Sequence, residues 1–547
     1  MSVKNNIQPI GHVVGGSLSK NLQIRLETST SVEDITVGTY LTISGSKARI
    51  LGIVVDISIG FTDSNLESNS LNLSNPLVSK IVNETVIFGS LTVKPMVILP
   101  QIKGSAEDIS PAKTITEYYA PVYFTTDEDI ALVFGAEDQK HFSLGTPLDM
   151  ETKVCLDLEK FVTRSNGIFG KSGTGKTFLT RLLLIGILQK NVASCLVFDM
   201  HNEYGWRGKT EKGKEVKGLK PLFPSQVVIF TLDNESLRRR GTTADWTIKI
   251  GYDEIEPDDI NLLADTLKLS DIAVGYCELL KREWKKSWIK NLLDPEYQPI
   301  LDELSKSLGM NAQALSSLKN RLQQIKRFDF LTEEKGNDFV SQVLNYSDRG
   351  MHIVLEFGKY QNNLTAYMLV SNILTRRLHS HYIRKSEEME NAGGTKPHPL
   401  VIVLEEAHKF LAPQISSHSI FGMIAREDRK YNITLLVIDQ RPSAIDQEIM
   451  SQIGTKLSCA LDNDRDIDAI LSGTADSRDL RIILSRVSPK QQTLITGHSV
   501  PIPVVIKTRE YGDSNSYKDL LKNNSFNPSK KETNITKKIE EDLEDLF

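Results

Sequence analysis

The segment Gly170 to Thr177 reads GKSGTGKT, in which Gly170, Gly175, Lys176 and Thr177 satisfy the GxxxxGK[ST] spacing. That spacing is suited to phosphate chemistry. Backbone N–H groups along Ser172, Gly173, Thr174 and Gly175, backed by a helix N-terminus, would face the phosphates of a nucleotide, with Phe178 just beyond the loop. Lys176 would meet the β- and γ-phosphates of ATP, and the Thr177 hydroxyl would ligate Mg²⁺. The alternative is a glycine turn with no ligand. The flanking NGIF and FLTRLLLIGIL argue against it, because they supply the strand and the helix that such a loop joins.

A P-loop needs a second acidic strand end to hold the metal shell and polarise a water. Pro399 to Leu404 is apolar and runs into Glu405 and Glu406, so Glu405 takes the metal side and Glu406 becomes the candidate general base. Glutamate is one methylene longer than aspartate, which favours contact between Glu405 and Mg²⁺ through a metal-bound water. Taken alone, a carboxylate pair at a strand end is equally well a solvated turn.

Further along, the apolar TLLVI ends in DQRP, where Gln440 could sense the γ-phosphate or orient the attacking water. Between the two lies IAREDRKYN, carrying Arg426, Arg429 and Lys430. A guanidinium from this segment could stabilise the transferring phosphoryl group of a neighbouring copy, or the segment could be a surface helix paired with its own acids. DMHNEYG closes another strand at the same edge, where Asp199 and Glu203 could orient metal-bound water. After it, Arg207, Lys209 and Lys212 with Trp206 form a glycine-broken basic loop suited to DNA phosphates. A solvated lysine-rich hairpin is the commoner reading of such a string.

These residues need elements to position them. Residues 165–169, 194–199, 226–232, 352–357, 400–404, 434–438 and 456–461 are mostly continuous apolar runs, the signature of buried parallel strands, and they alternate with helices. The fold class is therefore α/β. Leu262, Leu263 and Leu267, then Leu315, Leu318, Leu322 and Ile325, recur at helical steps, which predicts a helical insertion at about 252–345. Before the sheet, residues 10–98 alternate short β-branched runs with turns and predict a small all-β barrel or sandwich. The expected division is 1–135 for the β domain and connector, 136–512 for the ATPase domain, and 513–547 for a flexible tail. Within that tail KKIEEDLEDLF sets Ile539, Leu543 and Leu546 on one helical face, a candidate docking segment.

A chain of 547 residues exceeds one small core. No apolar run reaches the roughly 18 to 20 residues of a membrane span, and the N-terminus lacks a secretory pattern, so the expected location is the cytoplasm, with no membrane partner. Cys155, Cys195, Cys277 and Cys459 are scattered and read as buried thiols. A net charge of −5 argues against a surface that coats nucleic acid throughout, while allowing a local basic channel.

Taken together, GKSGTGKT, DMHNEYG, LVIVLEEAHKFL, IAREDRKYN and DQRPS behind a β-rich N-terminus resemble the HerA family in the HerA/FtsK branch of P-loop ATPases. The resemblance spans nearly the whole chain. It implies a barrel like that of ATP synthase subunits and a RecA-like ATPase domain. It implies a homo-hexameric ring moving double-stranded DNA as a helicase or translocase. Lys176, Thr177, Glu406, Arg429 and Gln440 would then serve ATP binding, metal, base, trans-acting arginine and sensor roles. Family members usually carry Asp-Glu where this chain has Glu405-Glu406, and Gly where it has Asp428, which leaves the arginine role between Arg429 and Arg426. The resemblance also implies a separate partner, either a NurA-like nuclease or a sirtuin-like or nuclease effector of antiviral defence. A competing reading keeps the ring as an ATP-gated scaffold that regulates an effector with little translocation.

Overall fold

The computed structural model describes residues 8–61, 87–100, 109–209, 215–333, 335–392, 397–416, 419–474 and 477–522. The N-terminal part is a closed antiparallel barrel. Around it run Asn21–Leu26, Gly11–Ser17, Pro121–Phe124, Tyr40–Ser44, Arg49–Phe61 and Ile87–Leu99, and the last pairs back onto the first. Alternation drives closure: Leu22, Ile24, Leu41, Ile43, Leu91, Val93 and Val122 point inward and are fully buried, whereas Arg25 is exposed.

Behind the barrel lies a twelve-stranded sheet. In spatial order its central strands are Val227–Thr231, His352–Glu356, Ser194–Asp199, Leu400–Glu405, Ile433–Asp439, Asn166–Phe169 and Thr455–Ser458, all parallel. Every residue of these strands is buried, as expected of strands covered on both faces. The runs recognised in the sequence coincide with these strands to within three residues at either end. Beyond Thr455–Ser458 the sheet turns antiparallel through Gln492–Gly497, Val504–Thr508, His141–Pro147 and Val154–Asp157. At the start of the span expected to be the ATPase domain, His141–Pro147 lies between the edge strand Val154–Asp157 and Val504–Thr508, pairing with residues over 350 positions away.

Helices fill the interval expected to be an insertion, from Pro257–Leu262 to Phe339–Asp348. Buried Leu263, Leu267, Leu280, Trp288, Leu318 and Leu322 join its packing to the main core. The Trp288 indole donates to Ile255 O at 2.9 Å, which satisfies its one polar atom inside that core.

The expected flexible tail needs one correction, because Ser514–Lys522 is a helix. Tyr517 and Leu520 form an apolar stripe at a three-residue step and are buried, Asp513 accepts from Ser516 N at 2.7 Å, and Gln189 Nε2 donates to Leu520 O at 2.5 Å. Its polar composition concealed a short docking face. The KKIEEDLEDLF segment lies outside the described residues. All four cysteines are free and buried, and among the described residues no helix is long and apolar enough to cross a membrane.

Candidate ATPase site

The strand Asn166–Phe169 delivers its C-terminal end into the loop 170–175, and the helix Lys176–Lys190 follows. Positive φ angles at Gly170 (154°), Gly173 (77°) and Gly175 (92°) wrap the loop. At Gly170 a Cβ would fall 2.7 Å from Cys459 Cβ and 2.8 Å from Thr174 Oγ1, so that position has no space for a side chain. Gly170 N donates to Asp439 O at 3.3 Å and Lys171 N to Ala460 O at 3.0 Å, pinning the loop to the neighbouring strand ends. The Lys176 ammonium donates to Gly170 O and Lys171 O, both at 2.8 Å. Burial lowers its pKa, while the carboxylates of Glu406, Asp439 and Glu405 oppose that effect. Ser172 and Thr177 lie on the loop and the first helical turn, and Phe178 packs 5.9 Å from the ring of Tyr511.

Two strands away, Leu400–Glu405 ends on the two glutamates, separated from the loop strand by Ile433–Asp439. Glu405 is buried, its Oε1 accepts from Tyr204 Oη at 2.8 Å, and its Oε2 has no hydrogen-bond partner. Burial, followed by the nearby Asp199 carboxylate, pushes its pKa up to about 8. Tyr367 Oη meets the Glu405 backbone on both sides, accepting from its N–H at 3.1 Å and donating to its carbonyl at 2.9 Å. This orphan buried oxygen of Glu405, on a side chain close enough to act on the Lys176 ammonium, fits a cation held mainly by nucleotide phosphates and waters, as Mg²⁺ is. It would not suit an ion caged by protein alone. Among the described residues no group of three or more His, Cys, Asp or Glu side chains is placed to hold a metal.

Glu406 lies past the strand end with φ of 49°, an unusual conformation for a residue with a Cβ. Its Oε1 accepts from Gln440 Nε2 at 2.9 Å, which joins the two motifs that the sequence separates by 34 positions. His408 and Asp439, to which the sequence analysis gave no role, complete this cluster: His408 Nδ1 lies 2.9 Å from Asp439 Oδ2 and 3.6 Å from Glu406 Oε2. Their only sequence signal is their place inside the EEAH and DQRP strings.

The other candidates lie elsewhere. Arg426 is engaged within its own chain, donating to Ser416 O and Ser416 Oγ at 3.2 Å and pairing with Glu448 at 3.5 Å. The backbone of Arg429 is in the 3-10 turn Asp428–Tyr431, and its side chain lies outside the described residues. Asp199 is fully buried and accepts from the backbone N–H groups of Glu203, Tyr204 and Gly205 at 2.7, 2.8 and 3.2 Å, so its carboxylate holds the DMHNEYG turn. The basic loop begins as the hairpin Arg207–Lys209 with Glu215–Lys217, and Arg207 pairs with Glu215 at 3.3 Å. The Lys209 side chain and Lys212 lie outside the described residues.

Arg181, also absent from the sequence reading, ties that hairpin to the P-loop helix. It is fully buried, its guanidinium donates to Glu203 O, and it lies 5.2 to 5.9 Å from the rings of Phe178, Tyr511 and Tyr204.

A glycine-wrapped loop feeding a helix N-terminus, with an acidic strand end and a polar strand end beside it on one parallel sheet edge, defines a P-loop nucleoside triphosphatase. Residues 142–378 match the family model "Helicase HerA, central domain". The chain is 24% identical over 472 residues to the DNA double-strand break repair helicase HerA of Pyrococcus furiosus, covering 81% of each chain. It is 25% identical over 535 residues to the protein of that name from Sulfurisphaera tokodaii, covering 92% of this chain and 93% of the relative. Among solved structures, VirB4 of Thermoanaerobacter pseudethanolicus is similar at 16% identity and a TM-score of 0.45, over 70% of this chain and 100% of the other. The chain is thus similar to the HerA helicases, with the family-model match confined to residues 142–378.

Proposed function

We propose that the protein is a ring-forming, Mg²⁺-dependent ATPase that couples hydrolysis to translocation or unwinding of double-stranded DNA. The observation that carries the reading is the hydrogen bond between Glu406 and Gln440, which poises a carboxylate and an amide together at the sheet edge bearing the P-loop. The similarity to HerA helicases across 81–92% of the chain supports DNA as the substrate.

In this account Lys176 and the loop N–H groups hold the β- and γ-phosphates. Thr177, with Glu405 through a water, would hold Mg²⁺, which would supply neutralisation of the phosphate charge. Glu406 takes a proton from the attacking water as its oxygen bonds to the γ-phosphorus, the bridging P–O bond breaks, and ADP leaves with the electron pair. Gln440 holds Glu406 and the water in line. The engagement of Arg426 with Ser416 and Glu448 leaves Arg429 as our choice for the guanidinium donated to a neighbouring copy in a homo-hexamer. The basic segment with Arg207, Lys209 and Lys212 would contact the DNA, and a separate nuclease or defence effector would act on what the ring delivers.

Turnover measured with and without linear double-stranded DNA, across a salt series, tests the proposal. DNA-stimulated hydrolysis that fades with salt is expected. Turnover indifferent to DNA would instead favour an ATP-gated scaffold responding to an effector.

A further inference from the structure

Both oxygens of the Glu406 carboxylate are flanked, and the two flanking groups share one anchor. Gln440 Nε2 donates to Oε1 at 2.9 Å, and His408 Nδ1 lies 3.6 Å from Oε2. His408 is itself gripped twice by Asp439: its backbone N–H donates to Oδ2 at 2.7 Å, and Nδ1 lies 2.9 Å from Oδ2 and 3.2 Å from Oδ1. Asp439 is buried, its Oδ1 also accepts from Arg441 N at 2.7 Å, and its carbonyl accepts from Gly170 of the P-loop at 3.3 Å. A carboxylate so placed requires the imidazole proton on Nδ1, which fixes the ring's tautomer and orientation. Glu406 stands in the left-handed region at φ 49°, a conformation disfavoured in a residue with a Cβ, so it must be held by its surroundings.

We infer that His408, clamped by Asp439, is a positioning residue that holds the Glu406 carboxylate in its working orientation. The inference rests on the reading of Glu406 as general base. The His408 ring, its Nδ1–H held by Asp439, stands 3.6 Å from Glu406 Oε2 on one side while Gln440 donates to Oε1 on the other, so the carboxylate keeps one direction between them. Asp439 links that direction to the P-loop through Gly170, which registers the base against the phosphates. Misplacement by about 1 Å can cost as much as 100-fold in rate while leaving binding intact.

Steady-state ATPase assays on the full chain test this. His408→Ala is expected to lower kcat about 10- to 100-fold with KM for ATP changed by less than about 3-fold. His408→Asn, whose amide nitrogen replaces Nδ1, should recover most of the rate, whereas His408→Gln, whose nitrogen falls at the Nε2 position, should not. That pair keeps the test open if the alanine variant does not fold. Adding His408→Ala to Glu406→Gln should slow turnover no further, because the histidine acts through the glutamate. Wild-type kcat in His408→Ala beside an inactive Glu406→Gln would overturn the positioning role alone, as would multiplicative losses in the double variant. Full activity in Glu406→Gln would overturn the general-base reading beneath it.

Discussion

Asp199 closes its strand fully buried, and that burial, reinforced by the Glu356 carboxylate in register on the adjacent strand, raises its pKa from 3.8 to about 7. Glu405 beside it is raised in the same sense. The unfolded carboxyl ionises near 3.8 while the folded one keeps its proton to about 7, so unfolding releases a proton at pH values between them. The stability this contributes is complete below the unfolded value and lost as pH rises through the folded one. The melting temperature of the ligand-free protein should therefore fall between about pH 5 and 8, and Asp199→Asn should flatten that slope even if it lowers stability overall, since its amide opposes the three N–H groups that Asp199 accepts. Thermal melts across pH check this, and an unchanged slope in the variant would contradict it. The sequence placed Asp199 at this sheet edge, while the three N–H groups its oxygens accept become visible only once the turn is folded.

At the scale of elements, the hairpin after the DMHNEYG turn is held from two directions. Arg181 reaches it from the P-loop helix, and the C-terminal helix reaches it through Tyr517 Oη, which accepts from Lys217 N at 3.0 Å, while Tyr511 Oη donates to Lys217 O at 2.7 Å. Tyr517→Phe removes the acceptor for the Lys217 N–H and should cost about 1 kcal/mol in protection of that strand. Hydrogen exchange at Lys217 should accelerate severalfold, and unchanged exchange would refute the clamp. Elements with strong local patterns were legible: Ser194–Asp199 and Leu400–Glu405 are unbroken apolar runs ending in acids. His141–Pro147, reading HFSLGTP, is absent from the expected strands because its pairing with Val504–Thr508 is invisible without the fold. His408 was overlooked for the same reason, since its partner Asp439 lies 31 positions on and reaches it only through strand adjacency.

For the molecule as a whole, barrel residues such as Leu51, Ile53 and Val97 join the core of the ATPase domain, and polar contacts among the described residues fasten the two together. Asp479 accepts from Lys94 Nζ at 2.9 Å and Asn21 Nδ2 at 3.2 Å, Thr39 donates to Asp149, and Tyr40 Oη donates to Pro503 O. Asp479→Ala removes one partner of the largely buried Lys94 and the acceptor for Asn21, and should cost about 1–2 kcal/mol, read as earlier melting and faster proteolysis between barrel and ATPase domain. Unaltered melting would place the domain contact elsewhere. What such a molecule does with ATP is tested most directly by ATP hydrolysis of the purified protein with and without linear double-stranded DNA, beside Glu406→Gln and Lys176→Ala. DNA-stimulated turnover is expected, lowered at least 100-fold in Glu406→Gln with ATP binding retained, and lost together with ATP binding in Lys176→Ala. Turnover that ignores DNA, or that survives Glu406→Gln, would contradict the proposed function.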